Sequence, residues 1–366
     1  MSVFVMSFII LSLCVFIPGR MKVGTIGAVR TATVDIKTPL LFILLGTLAA
    51  FRDASVGNDT HEYLNIFNDV RRASVSELPA FGGRFEMGYI WLNKLVSYVS
   101  TNPQVILIVT SVFAYYWYGR FIKEYSPMVG VSVLVFFFAR FHDSSMNIVR
   151  QIVATGFCLW GYMELKRGKN LMFFLLVLAA FYMHKSSIVF LLAWLFTRIP
   201  FRISYLKYFL PVWAFTFLAG NALVGLIFST GLVQSYFLDS AFLEEGKSAP
   251  ALILLIDAVV SLFYFLFSRQ KVNIGKDDIS SDIAWMLLAT LLFQTLCLYF
   301  SLLVRVSWYF RLFELIAIPY ALCRMKARSR VIYTVLVVAF FMLYYGIVLY
   351  YRPLWNHVYP YVTCFH

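Results

Sequence analysis

Residues 331–351 read VIYTVLVVAFFMLYYGIVLYY, an uninterrupted stretch without a charged side chain. A helix of about 20 apolar residues crosses the ~30 Å hydrocarbon core of a bilayer. Four basic residues, Arg324, Lys326, Arg328 and Arg330, come directly before it. Lys and Arg concentrate on the cytoplasmic side of membrane proteins. The stretch therefore predicts a transmembrane helix that enters the membrane from the cytoplasm.

The composition of the whole chain agrees with this interpretation. Of the 366 residues, 61% are hydrophobic and 13% are charged, against about 25% charged residues in a soluble domain. These values exclude a soluble enzyme, a disordered chain and a nucleic-acid-binding module. The net charge of +13 is then expected to lie in cytoplasmic loops, so the expected surroundings are a lipid bilayer and no nucleic-acid partner.

Apolar runs recur along the chain and predict an all-α polytopic membrane protein with about 12 transmembrane helices in a single transmembrane domain, 1–366. The runs lie near 2–18, 38–51, 104–119, 127–141, 148–163, 170–183, 186–197, 208–229, 249–268, 283–304, 307–322 and 331–351.

Basic clusters alternate with charge-poor or mixed loops and orient these runs, with both termini outside. The segment 86–119 then supplies only one crossing, although it contains two candidates. The weaker candidate, 86–100, carries Glu86, Asn93 and Lys94, so we predict a short in-plane or re-entrant helix on the outer side. The alternative is 13 crossings with one basic cluster misplaced. Outer loops 52–103 and 230–248 are predicted to form part of an active-site cavity.

Lysine and arginine divide differently in this topology. Nine of the 12 Lys fall inside, whereas nine of the 19 Arg and all five His fall outside. A planar guanidinium is suited to bidentate recognition of phosphate. The outer face is therefore a candidate surface for a phosphate-bearing lipid, and the alternative is a set of solvated loop residues.

The sequence motifs of soluble enzymes are absent: there is no P-loop, no GxGxxG after a strand, no GxSxG and no HExxH. No His, Asp or Glu cluster has the spacing of metal ligands, and we expect neither a metal nor another cofactor. Five local features remain on the outer side. They are a polar turn at 51–63, Arg150 and Gln151 at the start of a span, a tight turn with His184, an aromatic segment flanked by Arg305 and Arg311, and the aromatic tail.

Each feature also has an ordinary structural explanation. Asp59 has the position of an N-cap for a helix running 60–70, and Arg52 could reach the interface as a snorkelling side chain. Arg305 and Arg311 are typical of an interfacial aromatic belt. Arg150 and Gln151 are harder to explain in this way, because polar groups at that depth usually face the bundle interior or a water-filled cavity.

In this order the features resemble the EpsG family of Wzy-type polysaccharide polymerases. The resemblance runs from about residue 40 to the C-terminus, and Asn58 stands where the family more usually has Thr. The matching residues form six short motifs. They are Arg52 with a Val-Gly-x-Asp-x-x-x-Tyr stretch (Gly57, Asp59, Tyr63), a Glu-x-Gly-Tyr stretch (Glu86, Gly88, Tyr89), an Arg-Gln pair (Arg150, Gln151), a His-x-Ser motif (His184, Ser186), an Arg followed by Tyr-Phe (Arg305, Tyr309, Phe310) and a Pro-Tyr pair (Pro360, Tyr361).

The resemblance implies a GT-C-like glycosyltransferase in the bacterial inner membrane. Such an enzyme joins undecaprenyl-diphosphate-linked oligosaccharide repeat units on the periplasmic face, and undecaprenyl diphosphate leaves. We also expect a second membrane protein to regulate chain length, although no segment of the sequence marks its interface.

Residue roles follow as hypotheses. Arg52, Arg150 and Arg305 are assigned to the diphosphate, because arginines stabilise the charge that grows on the leaving group. Asp59, Glu86 and His184 compete as the base for the acceptor hydroxyl. The remaining predicted substrate-binding residues are Gln151, Tyr309, Arg311 and Tyr63.

Two other functions remain open on the sequence. An O-antigen ligase uses the same donor, but usually carries one large periplasmic loop, and the longest outer loop here, 52–85, is short. A flippase or secondary transporter is the non-enzyme alternative; it favours internal repeats and polar residues near the bilayer midplane. The sequence has no convincing repeat, and its in-span acids, Glu164, Asp257 and Glu314, are few and mostly near span ends.

Overall fold

The computed structural model describes residues 3–16, 21–24, 31–229, 248–267 and 279–365. The chain forms two compact units, one made of 1–185 and 326–366 and the other of 186–325. Most of the described residues are helical, as the sequence predicts. Whether both units belong to a single membrane domain stays a prediction.

The helices of the first unit are α1 (Val3–Phe16), α2 (Lys37–Ala50), α3 (Thr60–Arg72), α4 (Met87–Ser97), α5 (Gln104–Tyr125), α6 (Val129–Phe138), α7 (Phe141–Asn147), α8 (Val149–Lys166), α9 (Asn170–Met183) and α16 (Ala327–Tyr351), with a 3-10 segment Val75–Gly83. Helix α8 packs against both α5 and α9, α2 packs against α5, and α16 packs against α6. The short helices α3 and α4 pack against each other, and α4 also packs against α9.

The helices of the second unit are α10 (Leu192–Phe196), α11 (Leu206–Ser229), α12 (Ser248–Phe267), α13 (Ser280–Leu296), α14 (Val304–Arg311) and α15 (Glu314–Cys323). Helix α13 packs against α11, α12, α14 and α15. Shorter 3-10 segments occupy Lys185–Leu191, Ile203–Tyr205 and Ser301–Leu303.

Four helices of the described chain are long and apolar enough to cross a membrane: Gln104–Tyr125, Ile203–Leu226, Ala249–Phe267 and Ala327–Tyr351. The last contains the 331–351 run. This helix exposes large apolar side chains such as Val335 and Leu343 on its surface. On α11, Leu218 is 87% exposed. Extended apolar surfaces of this kind are unusual on a soluble monomer, so the structure supports an α-helical membrane protein.

The predicted number of 12 crossings is not reproduced as 12 long helices. The run 186–197 forms a 3-10 segment followed by the five-residue α10, and the run 307–322 is divided between α14 and α15. Residues 305–306, which separate the predicted runs 283–304 and 307–322, lie inside α14. Hydropathy reports the apolarity of a run and does not register a local break of the backbone, which explains these differences.

The weaker run, 86–100, forms the 11-residue helix α4. At 1.5 Å per residue it is much shorter than the hydrocarbon core. Its polar residue Lys94 is buried, and the Lys94 ammonium donates to the carbonyl oxygens of Val70 at 3.3 Å, Arg71 at 3.2 Å and Ala73 at 2.7 Å. A cation at the C-terminal carbonyls of α3 offsets the negative end of that helix, so Lys94 joins α4 to α3.

Two short strands, β1 (Met21–Gly24) and β2 (Thr31–Val34), pair antiparallel between α1 and α2. The sequence analysis did not predict this hairpin. The predicted outer loop 230–248 lies almost entirely outside the described residues.

The C-terminal tail packs against the loop that follows α2. The backbone pairs Asp53 N–H with Val362 O, and Cys364 N–H with Phe51 O, both at 3.0 Å. Farther along, the Gly57 N–H donates to His357 O at 2.9 Å.

Gly57 has a φ of +92°, and a Cβ there would lie 2.8 Å from Thr60 Oγ1. Only glycine adopts this backbone conformation without strain, which gives the Val-Gly-x-Asp stretch a structural reason.

We therefore expect Gly57→Ala to lower the free energy of unfolding by about 1–2 kcal/mol or more, since a left-handed residue with a Cβ carries a cost of that size. Thermal unfolding of the purified protein in detergent measures the change. Gly83→Ala is the matched control, because nothing lies within 4 Å of a Cβ at Gly83. Equal melting temperatures for the two variants would contradict the role of Gly57.

Candidate active site

Glu86 is the centre of a buried charged cluster in the first unit. Its Oε2 accepts a hydrogen bond from Arg150 Nη1. Its Oε1 lies 2.9 Å from His184 Nδ1 and accepts the Lys185 backbone N–H at 3.2 Å. Glu86, Arg150 and His184 are all buried. Three sequence motifs that lie far apart along the chain thus meet at one carboxylate.

The position of Glu86 depends on the packing of α4 against α9. Glu86 precedes α4 at its N-cap position, with extended backbone angles. Two residues later, a Cβ at Gly88 would lie 2.5 Å from the backbone oxygen of Tyr182. Glycine therefore allows α4 to approach the C-terminal end of α9, where the chain continues into His184. This close approach explains the glycine in the Glu-x-Gly-Tyr stretch.

The surroundings of Glu86 keep it ionised. Burial alone would raise the pKa of this carboxyl, but the hydrogen bond with His184 and the charge of Arg150 outweigh burial and lower the pKa from 4.5 to about 2. A depressed pKa contributes stability that is present above pH ~4.5 and is lost as the pH falls towards 2. At neutral pH the cluster contains a carboxylate.

An ionised Glu86 also fixes the proton on His184. Because the carboxylate only accepts hydrogen bonds, Nδ1 of the neutral ring carries the proton and donates it to Glu86. The basic lone pair is then on Nε2. The same arrangement orients the histidine of the Ser-His-Asp triad. This geometry gives His184 the tautomer that a general base needs.

The surroundings of Arg150 extend the cluster around Glu86. It lies near the start of α8, and its guanidinium carbon lies 4.8 Å from the centre of the Phe85 ring. The neighbouring Gln151 is buried on the same helix. Both polar residues enter the interior of the bundle, the location expected for polar groups in a span.

Arg52 has a different environment from the one expected for a diphosphate ligand. It is 1% exposed, and each of its three guanidine nitrogens donates to the chain: Nη1 to Ala49 O, Nη2 to Met146 O at 2.9 Å, and Nε to Thr60 Oγ1 at 3.0 Å. These contacts tie α2, α3 and α7 together and favour a scaffold role for Arg52 over diphosphate binding.

Asp59 directly precedes α3, and Tyr63 lies on the first turn of that helix. Asp59 occupies the predicted N-cap position, but its side chain makes no capping hydrogen bond; its backbone oxygen accepts from Tyr63 N–H at 3.2 Å. Tyr63 is buried in an apolar cluster, edge-on to Tyr89 with ring centres 5.8 Å apart. Tyr63 therefore contributes packing next to α4.

The second unit contains the other predicted site residues. Tyr309 is buried, and its hydroxyl lies 3.1 Å from Ser186 Oγ. Arg311 is also buried and donates from Nε to Asp257 Oδ1 at 2.8 Å. Arg305 is half-buried on α14. The His-x-Ser motif crosses the boundary between the units, which falls after Lys185.

Phe85 and Asn147 are not among the predicted site residues. Asn147 Oδ1 accepts the Asn58 N–H at 2.5 Å, and its Nδ2 donates to Asn356 O at 3.1 Å. The side chain of Asn147 thus fastens both the Val-Gly-x-Asp turn and the tail. An asparagine three residues before Arg150 is the one signal that the sequence contained.

Long apolar helices with exposed apolar faces, together with a buried ionic cluster, define a polytopic α-helical membrane protein with a polar site inside an apolar body. The chain belongs to the EpsG family, whose sequence model matches residues 36–363. Membership indicates a polysaccharide-polymerase-like membrane protein. Neither the curated proteins nor the solved structures include a significant match to the chain.

The buried ion pair predicts a large effect of Glu86→Ala on stability. Removal of one partner leaves the Arg150 charge buried, which costs about 3–5 kcal/mol in folded proteins. The exposed pair between Arg84 and Glu62, with an N–O distance of 2.8 Å, offers a comparison close to Glu86 in the sequence. Glu62→Ala is expected to change the unfolding free energy by less than about 1 kcal/mol. Denaturant unfolding in detergent measures both variants, and equal effects would contradict the importance of the buried pair.

Proposed function

We propose that the protein is a glycosyltransferase that polymerises undecaprenyl-diphosphate-linked oligosaccharide repeat units into O-antigen or a related surface polysaccharide. The observation that carries the proposal is the cluster of Glu86, His184 and Arg150, which combines an oriented base with a buried cation. Family membership supports the same class of reaction. In this proposal the chain crosses the bacterial inner membrane about 12 times, and its site opens to the periplasm.

His184 is the general base of the proposed reaction. Of the three competing candidates, His184 is the one that a carboxylate orients: its Nδ1 lies 2.9 Å from Glu86 Oε1, which puts the basic lone pair on Nε2. Nε2 takes the proton from an acceptor sugar hydroxyl while the hydroxyl oxygen bonds to the anomeric carbon of the donor. The imidazolium that forms is stabilised by Glu86. Glu86 is then a positioning residue, and Asp59 belongs to the turn before α3.

Arg150 is the proposed ligand of the leaving diphosphate. As the bond from the anomeric carbon to the diphosphate oxygen breaks, its electron pair moves onto the diphosphate. A preorganised cation in a dry site stabilises this charge. A guanidinium has five N–H donors, so pairing with Glu86 does not prevent it from binding an anion as well. Arg52 holds the surrounding backbone, and Arg305, Gln151, Tyr309 and Arg311 remain predicted substrate-binding residues.

A deletion strain tests the class of function. Loss of long surface glycan, with single repeat units still attached to their final acceptor, is the result expected for a polymerase. Accumulation of lipid-linked polymer without surface glycan would instead indicate a ligase. Accumulation of single units that face the cytoplasm would indicate a flippase.

Variants that complement this strain test the residue roles. His184→Ala is expected to reduce polymerisation by about 10²–10⁴-fold, the usual contribution of a general base. Arg150→Lys keeps the charge but removes the guanidinium fork, and is also expected to abolish long chains. The glycan ladder and membrane expression are measured together. The exposed tail residue His357 supplies the control, His357→Asn, which should give normal chains; normal chains from His184→Ala would disprove its role as the base.

A further inference from the structure

A polar cavity lies beside the Glu86 cluster in the first unit. Its volume is about 560 Å³, and it is formed by one face of α3 together with the 3-10 segment and the residues that follow it. Cavities of roughly 300–1,000 Å³ are typical of sites for small molecules. None of the residues assigned to the base or the diphosphate lines it.

The α3 side of the cavity presents a row of polar side chains. His61, Asn65 and Asp69 lie four residues apart, so they share one face of the helix. The Asn65 side-chain nitrogen lies 2.8 Å from His61 Nδ1. Because an amide nitrogen only donates, Nδ1 accepts and the neutral ring carries its proton on Nε2. Asn65 Oδ1 is then an acceptor and His61 Nε2 a donor, a combination that suits hydroxyl groups, which both donate and accept.

Aromatic rings also line the cavity. Phe81 and Phe85 line the cavity together with the side chains of α3. The flat ring of a phenylalanine matches the C–H face of a pyranose, while polar groups at the edge bind its hydroxyls. The two kinds of wall therefore fit a sugar ring better than they fit a lipid tail or a fully polar ion.

The charge of the lining argues against the diphosphate as the occupant. Glu62 and Asp69 contribute two carboxylates and Arg84 one guanidinium, which gives a formal charge of −1 with His61 neutral. Arg84 is also paired with Glu62 at 2.8 Å. Like charges repel, so this cavity favours a neutral or amino sugar over a diphosphate.

Phe85 connects the cavity to the proposed reaction. Its ring lines the cavity, the Arg150 guanidinium lies over the same ring at 4.8 Å, and the next residue is Glu86. A sugar bound in the cavity against Phe85 is therefore close to the ionic cluster.

We propose that this cavity is a glycan subsite, which binds a neutral or amino-sugar ring of the lipid-linked repeat unit next to the reacting bond. The inference rests on the proposed function for the identity of the glycan. Asn65, His61 and Phe81 are its specificity-determining residues.

Direct binding tests the subsite without relying on turnover. The probe is the single-repeat saccharide released by mild acid from the lipid fraction of the deletion strain. Saturation-transfer NMR with the full-length protein in detergent should show binding by the wild type. Asn65→Ala and Phe81→Ala should weaken the apparent affinity by about tenfold or more. Asn68→Ala is the matched control, because Asn68 lies on the same helix but does not line the cavity, and it should bind normally.

Two kinetic measurements identify which glycan occupies the subsite. With polymer saturating, an increase in KM for the single unit in Asn65→Ala assigns the subsite to the acceptor; an increase in KM for the polymer assigns it to the donor. In either case kcat should stay within about twofold.

The subsite is overturned if the wild type does not bind the saccharide, or if Asn65→Ala and Phe81→Ala bind it as tightly as Asn68→Ala does. The polymerase proposal fails separately, through a normal glycan ladder in the deletion strain.

Discussion

A charge buried in an apolar body needs a partner, and this constraint organises the contacts of α4, α8 and α9 in the first unit. Glu86 satisfies it with Arg150 from α8 and with the ring and backbone at the end of α9. The ion pair consequently determines where three helices meet. The same constraint is met by Arg140 with Asp143 at 3.2 Å and by Arg311 with Asp257 at 2.8 Å. Loss of a single partner leaves an uncompensated charge, so these residues act as sets.

The chemistry follows from the same contacts. An ionised Glu86 holds the imidazole of His184 in one tautomer, and in the proposed reaction the neighbouring guanidinium supplies positive charge where the diphosphate leaves. Glycine at position 88 is required because only a residue without a Cβ lets α4 reach the end of α9. A structural detail of packing and the orientation of a base are thus consequences of one helix contact.

Much of the helical architecture was predictable from the sequence, because apolar runs and basic clusters are direct consequences of the bilayer. The short helix at Met87–Ser97 was predicted because Glu86, Asn93 and Lys94 interrupt the apolar run 86–100 and distinguish it from a full span. Breaks inside uniformly apolar runs, such as the one between Arg311 and Glu314, were not predictable, since hydropathy is nearly constant across them. The hairpin Met21–Gly24 with Thr31–Val34 and the docking of the tail depend on long-range pairing that a local pattern does not contain.

The candidate site was predictable as a set of motifs but not as a geometry. Glu86 and His184 were both candidate bases, and only their contact shows that one orients the other. Arg52 was assigned to the diphosphate from its position at the end of a span. Its three backbone and hydroxyl acceptors come from α2, α3 and α7, and no sequence pattern indicates that they converge.

A structure of the protein with a bound lipid-diphosphate-linked saccharide tests whether His184 and Arg150 form the reaction centre. We expect an acceptor hydroxyl within about 3.2 Å of His184 Nε2, the reach of a general base, with the diphosphate on the Arg150 guanidinium. A productively bound diphosphate that contacts neither Arg150 nor the surroundings of His184 would contradict it.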